Sequence, residues 1–356
     1  MTKKRQFDVS VVFVTYNGRD FFENCIASLR EDIRSSKLMV EVIVVDNGST
    51  DGMRELSGKE EYNWIKWILS DNVGFSGGNN RGMKVAQGKY ILLLNADTLI
   101  TKGTLRSLYS YLDNHASVGV VGPQLRFGDG SLQVSAYDSY PNLLTGFLEN
   151  TLFDRLLYWL FPYTIYPGKL FSRRMHDRER EVKHILGAAM FLRREVWEQT
   201  EGMDERFFMY REETDWQRRI GQAGWKIMFY PTVIITHFEG GSTGQTRFKK
   251  QWDKKLDYYL PSVYGFENKW HGWLSSWLLV IIYVFGSLWI LIVLLPTFMI
   301  NNLFGWMVPR WWQTINRSIT DISIYHVAVL KWHVKRFLTG KSVFLDVRGK
   351  LITNYE

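Results

Sequence analysis

The sequence predicts an α/β fold: a mostly parallel sheet with helices on both faces, extended by an apolar helical region at the C-terminal end. Three observations predict it. Short β-branched runs alternate with helical patterns over residues 8–94. Polar clusters follow those runs at the points where a parallel sheet carries its functional loops. Residues 273–309 form a stretch of 37 without an Asp, Glu, Lys or Arg, against the roughly 20 apolar residues that cross a bilayer.

In order, Val9–Thr15 reads as a buried first strand, and Phe21–Arg34 as a helix with Phe22, Ile26, Leu29 and Ile33 on its apolar face. Val40–Val45, Trp64–Leu69 and Tyr90–Leu94 are the next strands, and Asn79–Gln87 is the helix between the last two. Gln124–Tyr137 reads as a hairpin turning at Gly128-Asp129-Gly130. Residues 141–183 are aromatic, then basic at Arg173, Arg174, Arg178 and Arg180, and read as irregular. A strand at His184–Leu192, a helix from Glu212 to Ala223 and a strand at Lys226–Ile235 leading to His237 complete this part. The expected domains are 1–250 for the α/β domain, with one half at 8–122 and a second at 123–250. A linker at 251–272, an apolar segment at 273–309 and a basic amphipathic tail at 310–356 follow.

The composition narrows the function classes. The 356 residues are 46% apolar and 22% charged, which excludes a disordered chain. Cys25 is the sole cysteine, so neither an intrachain disulfide nor a cysteine zinc cluster can form, which suits a reducing compartment. The start, Met-Thr-Lys-Lys-Arg, precedes an apolar run too short for a secretory signal, so the chain is expected to begin in the cytoplasm. A net charge of +8 favours anionic partners. The tail beyond 309 carries eight basic against three acidic residues. Seven of the 15 tryptophans lie between 273 and 332, where a membrane interface would place them. Basic charge thus gathers beside the apolar run, which points to membrane lipids and not to nucleic acid.

Five constellations carry candidate chemistry. Asp46-Asn47-Gly48-Ser49 places a carboxylate at a strand end, suited either to a base imide or to a capped turn. Asn72 through Gly82 is glycine-rich at a helix start, either a diphosphate cradle or a plain loop. Its spacing matches neither the dinucleotide fingerprint nor a Walker loop. Asn95-Ala96-Asp97 puts a carboxylate where it can hold Mg²⁺ or Mn²⁺, or cap a helix. Tyr210-Arg211-Glu212-Glu213-Thr214-Asp215-Trp216 offers adjacent carboxylates, a candidate base with its neighbour or a solvated first turn. His237 stands at a strand end before Gly240-Gly241, as a ligand or a structural histidine.

Taken in this order, the segments VSVVFVTYNG, VVDNGSTDG, NVGFSGGNNRG, YILLLNADT, LGAAMFLRREVW, GMDERFFMYREETDW and HFEGGS resemble glycosyltransferase family 2, from about Val9 to Ser242. Members of that family have the GT-A fold and invert at the anomeric carbon. GFSGGNNRG with LLLNADT looks most like the rhamnosyltransferase subgroup, which uses dTDP-L-rhamnose. The resemblance implies nucleotide-sugar contacts from Thr15, Asn17, Asp46, Gly77, Gly78, Asn79, Asn95 and Asp97. It implies Mg²⁺ or Mn²⁺ held by Asp97 and His237, with Asn95 standing where the family's DxD motif has its first Asp. Glu212 and Glu213 fall on the family's Glu-Asp pair, with Glu213 as general base.

The implied reaction is inverting transfer of L-rhamnose to a hydroxyl of a lipid-linked saccharide in bacterial surface polysaccharide synthesis. A UDP-hexose or galactofuranose transferase is the alternative donor reading, and a non-catalytic membrane-bound scaffold the alternative class. A nicotinamide oxidoreductase is excluded by Thr15-Tyr16-Asn17-Gly18, which is not a glycine-rich turn. The positive-inside tendency keeps the basic tail on the cytoplasmic face. A re-entrant hairpin turning near Pro296 or Asn301-Asn302 would satisfy it, with Ile322–Leu338 lying in the interface.

Overall fold

A computed structural model describes residues 6–151, 153, 157, 160, 175–238, 252–304 and 310–344. The expectations placed on Arg173-Arg174, Gly240-Gly241 and the last residues of the tail lie outside these. The chain divides into two units, Met1–Tyr140 with Ser172–Thr246, and Pro141–Phe171 with Arg247–Glu356. The aromatic stretch from 141 therefore groups with the C-terminal helices.

In the first unit β1 (Phe7–Thr15), β2 (Val40–Asp46), β3 (Ile65–Leu69) and β4 (Gly88–Leu94) are parallel in the spatial order β3-β2-β1-β4. Beyond β4 the order runs β11 (Ala189–Arg193), β6 (Val118–Arg126), β12 (Lys226–His237), β5 (Thr98–Leu99). β11 is antiparallel to both of its neighbours, while β12 and β6 are parallel. β7 (Leu132–Gln133) folds back on β6, and β9 (Arg180–Glu181) pairs with β12. β8 (Ala136–Tyr137) and β10 (His184–Ile185) form a separate pair.

Alternation along β1 builds two cores. Val9, Val11 and Phe13 face α1 (Arg19–Ser36) and α3 (Thr104–Asn114), packing with Phe22, Cys25, Leu29, Leu105 and Leu108. Val12 faces the other way, toward α2 (Gly74–Val85), α5 (Arg194–Thr200) and α6 (Glu212–Gln222), packing with Met83, Val196, Trp216 and Ile220. The sheet is thus covered on both faces, as a parallel sheet requires.

Several elements differ from expectation: His184–Leu192 is two strands, β10 and β11, the stretch read as irregular includes the helix Leu143–Thr151, and the linker expected at 251–272 holds the helix Trp252–His271. α2 begins five residues early, taking in the glycines of GFSGG, which are poor helix formers. Packing supplies the reason. A Cβ at Gly78 would stand 2.6 Å from Val14 Cγ1, and one at Gly82 2.3 Å from Val12 Cγ1. The glycine face lets the helix backbone settle directly on β1. The expected hairpin exists, with Arg126 opposite Leu132, but its first strand starts back at Val118.

The second unit contains α4 (Leu143–Thr151), α7 (Trp252–His271), α8 (Trp273–Phe304) and α9 (Arg310–Leu338). Leu256, Leu260 and Tyr264 of α7 pack with Leu279 and Tyr283 of α8 and with Val329 and Trp332 of α9. Ser287 bonds His326 at 2.9 Å, while nearer the start of α8 Trp277 meets Phe344 beyond α9. α8 and α9 therefore run antiparallel. The expected turn near Pro296 or Asn301-Asn302 is not there: α8 continues through both to Phe304. One proline removes a single helical hydrogen bond, which a long apolar helix tolerates. Trp273–Pro296 has a mean hydropathy of 2.9, with a third of its most apolar window buried, and is long and apolar enough to cross a membrane.

Candidate active site

The polar clusters meet around the carboxyl ends of β1, β2 and β4. Thr15 ends β1, fully buried, and its hydroxyl has no hydrogen-bond partner. Asn17 adopts φ 52°, a left-handed conformation Asn tolerates better than most residues. It ties the first loop to the second: Ser49 Oγ accepts from its backbone N–H at 2.9 Å, and its Oδ1 accepts from Thr50 N–H at 2.7 Å.

Asp46 is fully buried at the end of β2. Its carboxylate accepts from the amides of Gly48 and Ser49 at 3.3 Å and pairs with Arg54 Nε at 3.1 Å. Both proposals for this residue, a turn cap and a base contact, met in the sequence; the geometry displays the cap, and Arg54 was not foreseen.

Asn47 carries the contact onward, donating to Gly74 O at 2.9 Å and accepting from Val73 N–H at 3.2 Å. Phe208 O accepts from Phe75 N–H at 2.8 Å, and Phe207 O accepts from Ser76 Oγ. The start of α2 is thereby stitched between the 46–49 loop and the 203–210 loop. Gly77 packs on Val73 and Gly78 on Val14, while Asn79 Nδ2 donates to Phe75 O at 2.9 Å. These three residues pack the start of α2 and order its first turn.

A second group gathers beyond β4. Asp97 is 1% exposed, and its backbone carbonyl accepts from Phe238 N–H. β5 pairs with the end of β12, setting His237 opposite Thr98. An irregular register between Tyr230 and Ile234 bends β12 on the way. His237 Nε2 then stands 3.4 Å from Asp97 Oδ1, and its Nδ1 lies 2.9 Å from Gln133 Oε1. With Nδ1–H donating to Gln133, Nε2 presents a lone pair to the carboxylate. Two acceptors facing each other this closely call for a proton or a cation between them. One carboxylate and one imidazole suit Mg²⁺ or Mn²⁺ whose remaining ligands are waters and phosphate oxygens. Among the described residues no cluster of three or more His, Cys, Asp or Glu side chains exists to bind a metal unaided. Gln133 carries no motif signal; only the fold reveals it.

Asn95 is partly exposed, and its N–H donates to Ala188 O at 2.9 Å. Next to it in the chain, Gly187 leaves room for Glu213: a Cβ there would come 3.4 Å from Glu213 Cβ and 3.5 Å from Phe75 Cε1. The end of β4, the start of α2 and the start of α6 therefore converge on the 187–188 turn. Gln217, fully buried, holds α6 in place by accepting from Ile185 N–H and donating to Ile185 O, each at 2.8 Å.

Tyr210 and Arg211 have φ of 70° and 69°, two successive left-handed residues immediately before α6. Such backbone costs on the order of 1–3 kcal/mol per residue and persists where surroundings enforce it. It buries Glu212 and leaves Glu213 half-buried, and one carboxylate oxygen of each is buried with no hydrogen-bond partner among the described residues. Burial and then the neighbouring Glu213 push the Glu212 carboxyl well above its usual range. Burial also raises Glu213, opposed by amides at the helix start and by the Arg211 guanidinium. Both carboxyls are raised, and as close neighbours they titrate as a pair that resists carrying two charges at once. Asp215 pairs with Arg219 at 3.1 Å and is fully buried, a structural ion pair. The Cys25 thiol, pushed up to about 12 by burial, is inert.

Residues 10–197, more than half of the chain, match the family model Glycosyl transferase family 2. An N-acetylglucosaminyl-diphospho-decaprenol L-rhamnosyltransferase of Mycobacterium tuberculosis is 29% identical over 66% of this chain and 77% of its own. A low-salt glycan biosynthesis hexosyltransferase of Haloferax volcanii is 26% identical over 70% and 73%. Among solved structures, a mannosyltransferase from Pyrobaculum calidifontis in complex with GDP-Man and Mn²⁺ aligns at a TM-score of 0.53 with 14% identity, over 95% of this chain and 89% of that one. That likeness is one of fold, a large sheet of the GT-A type. The chain belongs to glycosyltransferase family 2, and its activity is glycosyl transfer.

Proposed function

We propose that the protein transfers a sugar, L-rhamnose from dTDP-L-rhamnose, with inversion to a hydroxyl of a polyprenyl-diphosphate-linked saccharide at the cytoplasmic face of the membrane. The single observation that carries a catalytic reading is Glu213, a half-buried carboxylate with a buried, unpartnered oxygen, held where the end of β4, the start of α2 and the start of α6 converge. The GFSGGNNRG segment and the relative that is a rhamnosyltransferase acting on a diphospho-decaprenol support the donor and the acceptor class.

In the proposed mechanism Glu213 accepts the acceptor's hydroxyl proton as that oxygen bonds to the anomeric carbon. The bond from that carbon to the diphosphate breaks, and its electron pair leaves with the diphosphate. Glu212, coupled to it, favours a single charge shared by the pair. Thr15, Asn17 and Asp46 shape the base pocket, Asp46 chiefly by holding the 46–49 loop. Gly77, Gly78 and Asn79 seat α2 beneath the donor, and Asn95 borders it. Asp97 and His237 would hold Mg²⁺ or Mn²⁺, oriented by Gln133. When bound, the metal supplies positive charge against the diphosphate.

α8 anchors the protein in membrane lipids in this reading, and the antiparallel α9 returns the chain toward the side from which α8 started. The basic residues Lys331, Lys335 and Arg336 then lie near anionic headgroups. Calorimetry with a panel of nucleotides and Mn²⁺ tests the donor: dTDP should bind more tightly than UDP or GDP. Equal or reversed affinities would replace rhamnose with a UDP-hexose or galactofuranose donor within the same family.

A further inference from the structure

A groove of about 490 Å³ runs between α4 and α8, lined by Phe147, Phe153, Ile281, Phe285 and Trp289 with Gly286 at its edge. Its shape comes from one close approach. A Cβ on Gly286 would stand 2.6 Å from Asn150 O, so glycine brings the two helices into backbone contact there. The ring pair Phe147–Phe153, with centroids 5.5 Å apart, forms one wall.

Among the described residues the groove offers little to a polar ligand. Thr151, its one hydroxyl residue, donates to Phe147 O at 2.6 Å, and neighbouring Asn150 donates to Gly146 O at 2.8 Å. Both of these side chains donate within α4, and the rest of the lining among the described residues is hydrocarbon and rings. It opens on the apolar face of α8, where Ile281 is 47% and Phe285 64% exposed. That helix is long and apolar enough to cross a bilayer, and with α8 as the membrane anchor proposed above the medium at the groove's mouth is lipid. An occupant must enter from that medium and bring only apolar surface.

We infer that this groove binds the isoprenoid chain of the lipid-linked acceptor. The inference rests on the proposed acceptor class, since that substrate alone brings both a saccharide to be extended and an apolar chain. Branched methyls against the rings of Phe147, Phe153 and Phe285 give the groove its hold on one stretch of chain. The consequence is kinetic: the groove contributes to acceptor KM and not to the chemical step.

The test uses the full chain in phosphatidylethanolamine–phosphatidylglycerol vesicles with a diazirine-bearing polyprenyl phosphate. Photolabelling should fall on 147–153 and 281–289, and unlabelled polyprenyl phosphate should compete it away while excess phospholipid should not. Ile281→Trp, filling the groove from an exposed position, should raise KM for a long-chain acceptor by about tenfold, equivalent to losing roughly two buried methylenes. kcat, and turnover of a short-chain acceptor, should be unchanged. If Ile281→Trp also cost short-chain turnover, Phe285→Ala would carry the same comparison.

Labelling elsewhere, equal competition by phospholipid, or crosslinks between two copies of this chain would overturn the inference. So would a KM that changes equally for both acceptors or for neither. Absence of turnover with every acceptor would defeat the proposed function instead, and the labelling pattern would still decide the groove.

Discussion

At the scale of single residues, the account turns on charges placed where water is scarce. Glu213 works as a base only when ionised, yet burial favours its protonated form. The sign follows. Its folded-state carboxyl titrates above the unfolded one, so the stability linked to its proton is complete below the unfolded pKa and is lost as pH rises through the raised folded value. Activity appears over the same interval in which that stability disappears. The acidic limb of kcat/KM should therefore lie above the ordinary carboxylate range. Arg211→Gln should move it higher still, because the guanidinium favours the ionised form; a limb unmoved or lowered would show that Arg211 does not face the base. A second residue-scale prediction concerns Gln133. Removing its bond to His237 with Gln133→Leu should weaken Mn²⁺-dependent donor binding by about 10–100-fold, the usual cost of losing a group that orients a ligand. Asp97→Asn should weaken it at least as much, and calorimetry with and without Mn²⁺ reads both. Unchanged affinity in both variants would remove the metal from this pair.

At the scale of elements, the sequence and the structure agree where periodicity alone decides and part where contacts decide. The alternation of β1 and the apolar stripe of α1 were legible because both faces of one and one face of the other are buried locally. The early start of α2 was not: glycines weigh against a helix until β1 lies beneath them, and only then does their missing side chain become an advantage. Gly78 and Gly82 meet Val14 and Val12 at that contact, a role their motif alone does not announce. Pro296 and Asn301-Asn302 read as a turn by composition, yet α8 passes through them. α1 offers a direct check on local energetics. It ends at Lys37, exposed and with φ 57°, where a side chain pays the left-handed penalty. Lys37→Gly should stabilise the protein by about 0.5–1 kcal/mol, net of glycine's own entropy loss. Chemical denaturation should show a higher midpoint at unchanged slope; a lower one would mean that the lysine side chain does more than cap.

At the scale of the whole molecule, an α/β unit of glycosyltransferase family 2 carries the polar clusters, and a helical unit carries the apolar surface. The order of the clusters along the chain was legible, and so was the family. What the sequence withheld were the partners that organise them: Arg54 on Asp46, Gln133 on His237 and Gln217 of α6 on Ile185, each without a motif of its own. The central claim is that this assembly transfers a sugar from a nucleotide to a lipid-linked saccharide with Glu213 as its base. The most direct measurement is transfer of radiolabelled sugar from dTDP-L-rhamnose to a polyprenyl-diphosphate-linked saccharide, by the full chain in vesicles, for the wild type and for Glu213→Gln. The wild type should transfer label, and Glu213→Gln should be slower by about 10²–10⁴-fold with donor affinity nearly intact. Transfer by Glu213→Gln at the wild-type rate, or no transfer by the wild type from any nucleotide sugar, would contradict the account.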